Sequence, residues 1–176
     1  MTEEELQHIE VLAQEVPEHG KVLEVGSFSG RSAWAWAKSV PETVEVHCVD
    51  TWFGAPVNRI IWDNRPDVFA TKIEHFYEFT NDCPNVTAIR GDSNKVLLSL
   101  PPDSYDLIFL DGAHDSSVFR NDLYFSFALL KKDGILCGHD FIVEIPDVIT
   151  ETVKFSAMHN LPISFARNSS IWLMRK

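Results

Sequence analysis

The first twenty residues have the hydrophobic pattern of one amphipathic helix. Leu6, Ile9, Leu12 and Val16 recur at helical spacing, so their side chains share one face. Thr2 precedes three glutamates, as an N-cap residue precedes the acidic residues of a first helical turn. The pattern therefore predicts a helix at the start of the chain.

Beyond this helix, short apolar runs alternate with segments of helical character. The apolar runs are predicted as strands at residues 22–25, 44–49, 86–89, 107–110 and 135–137. The helical segments are predicted at residues 32–38, near 67–79, at 94–100 and at 117–130. Strands that alternate with helices indicate a parallel sheet covered by helices on both faces, which is a doubly wound α/β fold.

The end of the chain has a different pattern. Residues 162–166 and 171–174 are strand-like runs joined by a short polar connection, which is typical of a hairpin. One antiparallel C-terminal strand is therefore expected to close a mostly parallel sheet. No linker or repeat divides the sequence, so residues 1–176 are predicted as one domain, with the helix in 1–20 and the core in 21–176. The stretch 51–66 is longer than usual connections between a strand and a helix, and such loops tend to be functional.

The charge of the chain argues against some classes of partner. Of its 176 residues, 15 are Lys or Arg and 26 are Asp or Glu, which gives a net charge of −11. This charge repels phosphate backbones and anionic lipid head groups, so neither nucleic acid nor a membrane is expected as a partner. Small molecules and neutral substrates remain compatible with it.

The cysteines and the first residues indicate a cytoplasmic protein. Cys48, Cys83 and Cys137 are odd in number and widely spaced, without a C-x-x-C pair, which favours a reducing compartment. The sequence begins without the basic start and apolar run of a signal peptide, and it contains no run of about 18 apolar residues. We therefore expect a cytoplasmic location.

A glycine-bearing turn follows the first predicted strand. Its sequence, Gly26-Ser27-Phe28-Ser29-Gly30, has neither the G-x-G-x-x-G spacing of a dinucleotide site nor the G-K-[ST] of a phosphate-binding loop. Glu24, Asp50 and Asp92 lie near strand ends, where carboxylates can accept from ammonium and hydroxyl groups. An acid at the end of the second strand is the expected acceptor for ribose hydroxyls, although Asp50 alone could also be a solvated strand-end carboxylate.

Four motifs, in the correct order, resemble those of class I S-adenosylmethionine-dependent methyltransferases. Residues 23–32, LEVGSFSGRS, resemble the first motif in the form that metal-dependent, catechol-type O-methyltransferases carry. Residues 49–54 (VDTWFG), 109–114 (FLDGAH) and 134–141 (GILCGHDF) resemble a methyltransferase-domain family of bacterial glycan and natural-product clusters, which includes macrolide-sugar O-methyltransferases. The resemblance covers residues 21–174 and implies a Rossmann-like, seven-stranded methyltransferase fold.

The resemblance also implies a cofactor and the residues that bind it. S-adenosyl-L-methionine would have its methionine moiety beside Glu24 and Gly26, its ribose at Asp50 and its adenine at Trp52 and Asp92. The full set of implied cofactor-binding residues is Glu24, Gly26, Ser27, Phe28, Gly30, Ser32, Asp50, Thr51, Trp52, Asp92, Ser93 and Asp111. Two alternatives stay open, because Trp52 could belong to the core and Asp92 could cap the helix that follows it.

A second group of candidate residues follows the fourth and fifth strands. In the catechol-type enzymes, three side chains at these places bind Mg²⁺, and the resemblance places Asp111, His139 and Asp140 there. An imidazole departs from an all-oxygen set, so Mn²⁺ or Fe²⁺ is as consistent as Mg²⁺, or His139 is not a ligand. Local capping and hydrogen bonds are the structural alternative for His139 and Asp140. His114 follows Asp111 by three residues, and a histidine there can act as general base, bind the metal or shape the loop.

These features together predict an S-adenosylmethionine-dependent methyltransferase that acts on a hydroxyl of a small molecule or sugar. The hydroxyl would be activated by a divalent metal such as Mg²⁺ or Mn²⁺, by His114, or by both, with Asp111 beside the reacting atoms. One alternative is a catalytically silent cofactor-binding domain that serves as a partner or sensor. Another is a nicotinamide-dependent oxidoreductase, which the glycine spacing disfavours. The oligomeric state stays open, with a homodimer as one alternative.

Overall fold

Seven strands form one sheet in the computed structural model, which describes residues 1–53 and 72–176. The strands are β1 (Lys21–Val25), β2 (Glu45–Asp50), β3 (Val86–Arg90), β4 (Tyr105–Leu110), β5 (Leu130–Gly138), β6 (Ser164–Phe165) and β7 (Trp172–Arg175). Their order across the sheet is β3-β2-β1-β4-β5-β7-β6. The first five strands pair in parallel, and β7 is antiparallel to both of its neighbours. The predicted fold class is therefore confirmed.

Helices cover both faces of this sheet. They are α1 (Glu3–Ala13), α2 (Arg31–Ser39), α3 (Lys72–Phe79), α4 (Ser93–Ser99), α5 (Ser116–Leu129) and α6 (Pro146–His159). One apolar cluster joins α1, α2 and α3 to alternate strand residues such as Val22 and Leu107. A second joins α4, α5 and α6 to the intervening residues, such as Leu23 and Ile108. Strand residues thus alternate between two buried faces, as a doubly wound sheet requires.

The N-terminal helix begins with a complete capping box. The Oγ1 atom of Thr2 accepts from the backbone N–H of Glu5, and the Glu5 carboxylate accepts from the backbone N–H of Thr2. These reciprocal bonds satisfy two backbone donors that a helix start leaves without intrahelical partners. The predicted N-terminal helix is therefore present, and its start is fixed by Thr2.

Helix α6 was not predicted from the sequence. Its buried positions, Val148, Glu151, Thr152 and Phe155, have helical spacing, but two of the four are polar. Because these two buried positions are polar, the segment lacks the continuous apolar stripe from which a helix is predicted. Pro146 at the first turn of the helix is a start signal that could have revealed it.

The sheet order reverses at the boundary between β1 and β4. The connection after β1 leads to β2 on one side, whereas β4 and β5 lie on the other side. In open α/β sheets, ligands bind at such a boundary, beyond the carboxyl ends of the strands. Most of the predicted loop 51–66, and the start of the helix predicted near 67–79, lie outside the described residues. Within residues 1–53 and 72–176, no helix combines the length and apolar character needed to cross a membrane.

Candidate active site

The turn after β1 lies directly against the end of β4. Gly26 has φ +96°, and a Cβ atom there would lie 2.3 Å from the Asp111 carbonyl oxygen and 2.4 Å from the Gly112 Cα. Its N–H donates to the Val49 carbonyl at 2.8 Å, and the Asp111 N–H donates to the Val25 carbonyl at 2.8 Å. Only glycine fits this conformation and this space. The glycine turn and the residues after β4 are thus held in one place.

Asp50, at the end of β2, organises the backbone around this turn. Its two carboxylate oxygens accept from the N–H of Phe28 at 2.8 Å and from the N–H of Trp52 at 2.6 Å. Phe28 and Trp52 both have positive φ, 44° and 53°, which costs non-glycine residues energy that these bonds offset. The sequence did not predict this structural role. Because each carboxylate oxygen can accept more than one hydrogen bond, the predicted contact with a ribose stays a prediction.

Trp52 is part of the core that supports the turn. Its side chain is 3% exposed, packs edge-on against Phe76 with ring centroids 5.1 Å apart, and donates from Nε1 to the Phe28 carbonyl at 2.8 Å. These contacts agree with the core alternative that the sequence left open. Phe28 itself is 49% exposed at the turn, and Lys72 Nζ lies over its ring, 4.5 Å from the centroid.

Glu24 on β1 is a buried carboxylate beneath the glycine turn. It is fully buried, and neither of its oxygens has a hydrogen-bond partner among the described residues. Ser27, 2% exposed, also has an unpartnered hydroxyl there. Burial, opposed by the hydroxyls of Ser27 and Ser32 and reinforced by the nearby Asp111 and Asp50, raises the pKa of Glu24 to about 7. A buried acid of this kind is stabilised either by protonation or by a positively charged or donating ligand.

The raised pKa makes Glu24 a source of instability in the ligand-free protein. Because its folded-state pKa lies above the usual 4.5, the carboxyl group is ionised more easily in the unfolded chain. The contribution of Glu24 alone to stability is therefore fully present below pH 4.5 and falls as the pH rises to about 7, by roughly 3 kcal/mol for this shift. A cation bound to Glu24 would remove this cost.

The other cofactor-binding candidates near the turn lie at the same edge of the sheet. Gly30, with φ +88°, is the N-cap of α2, and a Cβ atom there would lie 3.1 Å from the Phe76 ring. Ser32 is buried in the first turn of that helix. The Thr51 hydroxyl accepts from the Phe53 N–H at 3.2 Å, directly after Asp50.

Asp92 and Ser93 lie at the end of β3, where α4 begins. Asp92 is the N-cap of α4, because its Oδ1 accepts from the Asn94 N–H at 3.0 Å. The capping alternative for Asp92 is therefore present in the structure, and the predicted contact with adenine stays a prediction. Beneath them lies Asp122 of α5, 2% exposed, whose Oδ1 is 3.4 Å from Asn94 Nδ2. Burial raises the pKa of Asp122 to about 7, and the sequence did not single it out.

The three predicted metal ligands converge at the ends of β4 and β5. One ligand atom from each of Asp111, His139 and Asp140 lies within 4.8 Å of the others. His139 Nδ1 is 2.8 Å from Asp140 Oδ1 and 3.6 Å from Asp111 Oδ1. Asp140 has φ +61°, in the left-handed region that residues other than glycine rarely adopt. Two carboxylates and an imidazole are a donor set that fits a divalent cation.

The charges of this cluster are strongly coupled. Burial disfavours the imidazolium of His139, but the carboxylates of Asp140, Asp111 and Glu5 outweigh it and raise the pKa of His139 to about 9. Burial raises the pKa of Asp111 to about 7, while the two nearby histidines oppose the shift. Burial also disfavours the charged form of Asp140, yet His114 and His139 hold its pKa well below the usual range. The protonated histidines and the carboxylates of the cluster thus stabilise one another's charged forms.

His114 is held by Asp140 and remains accessible. Its Nε2 lies 2.7 Å from Asp140 Oδ2, and its side chain is 40% exposed. Asp140 raises the pKa of His114, with burial opposing the shift. The 2.7 Å contact with a carboxylate favours a proton on Nε2, which leaves Nδ1 of the neutral ring as a proton acceptor.

The sequence of this region matches a known protein family. Residues 23–141, which contain the glycine turn, Asp50, Asp111 and the His139–Asp140 pair, match the model of a family described as a methyltransferase domain. This match spans more than half of the chain. The chain belongs to this methyltransferase family.

Solved structures share the fold of this methyltransferase domain. The O-methyltransferase NovP superposes with a TM-score of 0.80 at 16% identity, covering 98% of this chain and 79% of NovP. A methyltransferase from Geobacter sulfurreducens gives 0.72 at 15%, covering 100% and 79%. TomG from Streptomyces achromogenes, an O-methyltransferase of tomaymycin synthesis solved with S-adenosylmethionine, gives 0.70 at 11%, covering 99% and 80%. A comparison with curated proteins found no match.

Glu5 contacts the candidate metal-binding cluster, and sequence reasoning missed it. Its Oε1 lies 2.9 Å from His139 Nε2, although 134 positions separate the two residues in the sequence. Burial opposes its ionisation, but the Thr2 N–H and His139 outweigh this and lower the pKa of Glu5 to about 2. The local sequence showed only an acidic residue in a first helical turn, so no signal in it indicated the long-range contact.

Proposed function

We propose that the protein transfers a methyl group from S-adenosyl-L-methionine to a hydroxyl of a small molecule or sugar. The observation that carries the proposal is the contact of Gly26 with the Asp111–Gly112 backbone. It brings the buried acceptors of the β1 turn next to the ionisable cluster after β4 and β5. The proposed cofactor site at the β1 turn and a side chain that can take a proton therefore lie at the same edge of the sheet.

The residues of the turn fit this cofactor. The unpartnered carboxylate of Glu24 and the hydroxyl of Ser27 can accept from the ammonium group of its methionine moiety. Asp50 retains acceptor capacity for ribose hydroxyls beyond its two backbone bonds. When bound, S-adenosylmethionine supplies an electrophilic methyl group on a sulfonium. Acids near the turn also favour this cation electrostatically.

His114 is the proposed general base. Its Nδ1 would take the proton of the acceptor hydroxyl, while Asp140 holds the ring through Nε2 and stabilises the imidazolium that forms. Neutral His114 is required for this step, so the reaction needs a pH above its raised pKa. Asp111, directly beneath the turn, is expected to lie beside the reacting atoms.

Asp111, His139 and Asp140 would hold a divalent cation at the same edge. When bound, such a cation would act as a Lewis acid that orients the acceptor hydroxyl and lowers its pKa. The two carboxylates and the imidazole of this cluster would be the ligands of the cation. The net charge of −11 supports a small acceptor in preference to a nucleic acid.

Titration calorimetry with different cofactors tests the proposal. We expect S-adenosylmethionine to bind and NAD⁺ not to bind. Replacing Glu24 by Gln should weaken S-adenosylmethionine about 10- to 100-fold, because a hydrogen bond to a charged group contributes about 1.5–3 kcal/mol. Methylthioadenosine, which lacks the amino-acid moiety, should bind the wild type and Glu24→Gln equally.

The exposed Glu10 provides a matched control for the charge change. Glu10→Gln removes one carboxylate far from the turn and should leave all three titrations unchanged. Binding of NAD⁺ in place of S-adenosylmethionine would favour the oxidoreductase alternative. Equal weakening of methylthioadenosine by Glu24→Gln would contradict the contact with the ammonium group.

A further inference from the structure

Helix α1 reaches the ionisable cluster through one buried carboxylate. Glu5 is 7% exposed, and its Oε1 lies 2.9 Å from Nε2 of His139. The other ring nitrogen, Nδ1, faces Oδ1 of Asp140 at 2.8 Å and Oδ1 of Asp111 at 3.6 Å. The imidazole therefore lies between an outer carboxylate on α1 and the two inner carboxylates that would share a cation with it.

The position of Glu5 is fixed from two directions. Its Oε2 accepts from the Thr2 N–H at 2.8 Å in the capping box, and its Oε1 accepts from the Ser170 hydroxyl at 3.1 Å. The same Ser170 hydroxyl accepts from the backbone N–H of Asp140 at 3.3 Å. Glu5 thus supports His139 through its ring and Asp140 through Ser170. These contacts join three separate parts of the chain, at Glu5, at His139–Asp140 and at Ser170.

We propose that Glu5 is a positioning residue for the metal ligand His139, and that the pair makes the site of Asp111, His139 and Asp140 prefer Mn²⁺ to Mg²⁺. The inference rests on the proposed function, which includes a divalent cation at these three residues. Metal-bound histidines generally donate their second ring N–H to a carboxylate, which fixes the tautomer and the ring orientation. In the structure Nδ1 hydrogen-bonds Asp140 Oδ1 at 2.8 Å, so a bound cation would take the place of the Nδ1 proton while Nε2 keeps its 2.9 Å contact with Glu5.

The preference for Mn²⁺ follows from the chemistry of the donors. Mg²⁺ is a hard cation that favours oxygen ligands in a near-ideal octahedron. Imidazole is a better ligand for first-row transition metals, and Glu5 makes this imidazole more basic. A site with His139 in place of a third carboxylate therefore loses more affinity for Mg²⁺ than for Mn²⁺, which shifts its preference toward Mn²⁺.

Electron paramagnetic resonance of Mn²⁺ measures the affinity without any need for catalysis. We expect the wild type to bind Mn²⁺ and Mg²⁺ to compete weakly. Glu5→Ala should weaken Mn²⁺ by about 10- to 100-fold, the usual effect of losing the carboxylate behind a histidine ligand. Glu4→Ala is the matched control, since Glu4 is an exposed acid in the same helical turn and should leave the affinity unchanged.

His139→Asp separates positioning from a general effect of charge. This variant has an all-oxygen set, so its Mn²⁺ to Mg²⁺ preference should fall at least tenfold. In this background Glu5→Ala should no longer weaken Mn²⁺, because Glu5 then faces another carboxylate instead of an imidazole. A loss of Mn²⁺ affinity on Glu5→Ala in both backgrounds would overturn the positioning role.

Two further results would overturn the inference. One is a wild type that binds S-adenosylmethionine but does not bind Mn²⁺, which would leave the proposed methyl transfer standing. The other is an unchanged Mn²⁺ affinity in Glu5→Ala. S-adenosylmethionine titration shows whether Glu5→Ala is folded, and Glu5→Gln, which keeps an acceptor for the Thr2 N–H, repeats the test if it is not. Weakening by Glu5→Gln would then support the role, and unchanged affinity would overturn it.

Discussion

Replacing Gly26 by alanine is expected to lower the free energy of unfolding by about 3 kcal/mol or more, because overpacking and a positive φ both carry a cost. The new Cβ atom would lie within 2.5 Å of three backbone atoms of Asp111 and Gly112. Backbone atoms cannot move away as the end of a flexible side chain can. The end of β1 and the end of β4 would therefore have to separate.

Gly112→Ala is the matched control for this variant. Gly112 lies on the other side of the same contact, but its Cβ atom would meet the Val25 backbone and side chain at 3.4–3.6 Å, which is ordinary van der Waals distance. Urea denaturation monitored by tryptophan fluorescence measures both changes. We expect the control to cost less than about 1 kcal/mol, as unstrained surface substitutions do. Equal stability of the two variants would contradict the close approach at Gly26.

Replacing His114 by glutamine is expected to lower the turnover of methyl transfer by about 10²- to 10⁴-fold, the usual contribution of a general base. Glutamine fills a similar volume and can still donate to Asp140, but it cannot take the proton of the acceptor. Cofactor affinity should stay unchanged, because the contacts proposed for the cofactor lie at the β1 turn. Single-turnover kinetics over a pH series compare the two proteins on the high-pH plateau of the wild-type profile, where the base is neutral.

His19→Gln is the control for a lost histidine. His19 is exposed just before β1, at the opposite edge of the sheet from His114, and its loss should not affect turnover. Turnover of His114→Gln close to that of the wild type would remove His114 from the role of base. Hydroxyl activation would then depend on the cation ligands alone.

The sheet could be predicted from the sequence because its pattern is simple. The first four strands are short apolar runs, and β1 and β4 are buried on both faces almost throughout. Helix α6 could not be predicted in the same way, because Glu151 is buried at an apolar position. Its charge is satisfied by Arg120, whose Nε lies 2.7 Å from Oε2, and by Lys154. Burial of a paired acid is a tertiary effect that a hydrophobic pattern does not register.

The candidate site was predictable to the extent that it lies at strand ends. Asp111 follows β4 and His139 follows β5, so parallel strand pairing alone brings them together. Glu5 and Ser170 reach the cluster from the two ends of the chain, and no local pattern encodes that contact. The hydrogen bonds that the Asp50 carboxylate accepts from backbone N–H groups could not be predicted either. They depend on the positive φ of Phe28 and Trp52, which the sequence does not indicate.

The central claim, methyl transfer to oxygen, is tested most directly with S-adenosylmethionine that carries an isotopically labelled methyl group. The protein is incubated with this cofactor, Mn²⁺ and a panel of sugars and phenols, and the products are analysed by mass spectrometry. The account predicts one labelled methyl ether for each S-adenosylhomocysteine formed, with almost none in His114→Gln. A wild type that binds the cofactor but labels no acceptor, or that labels only nitrogen, would contradict it.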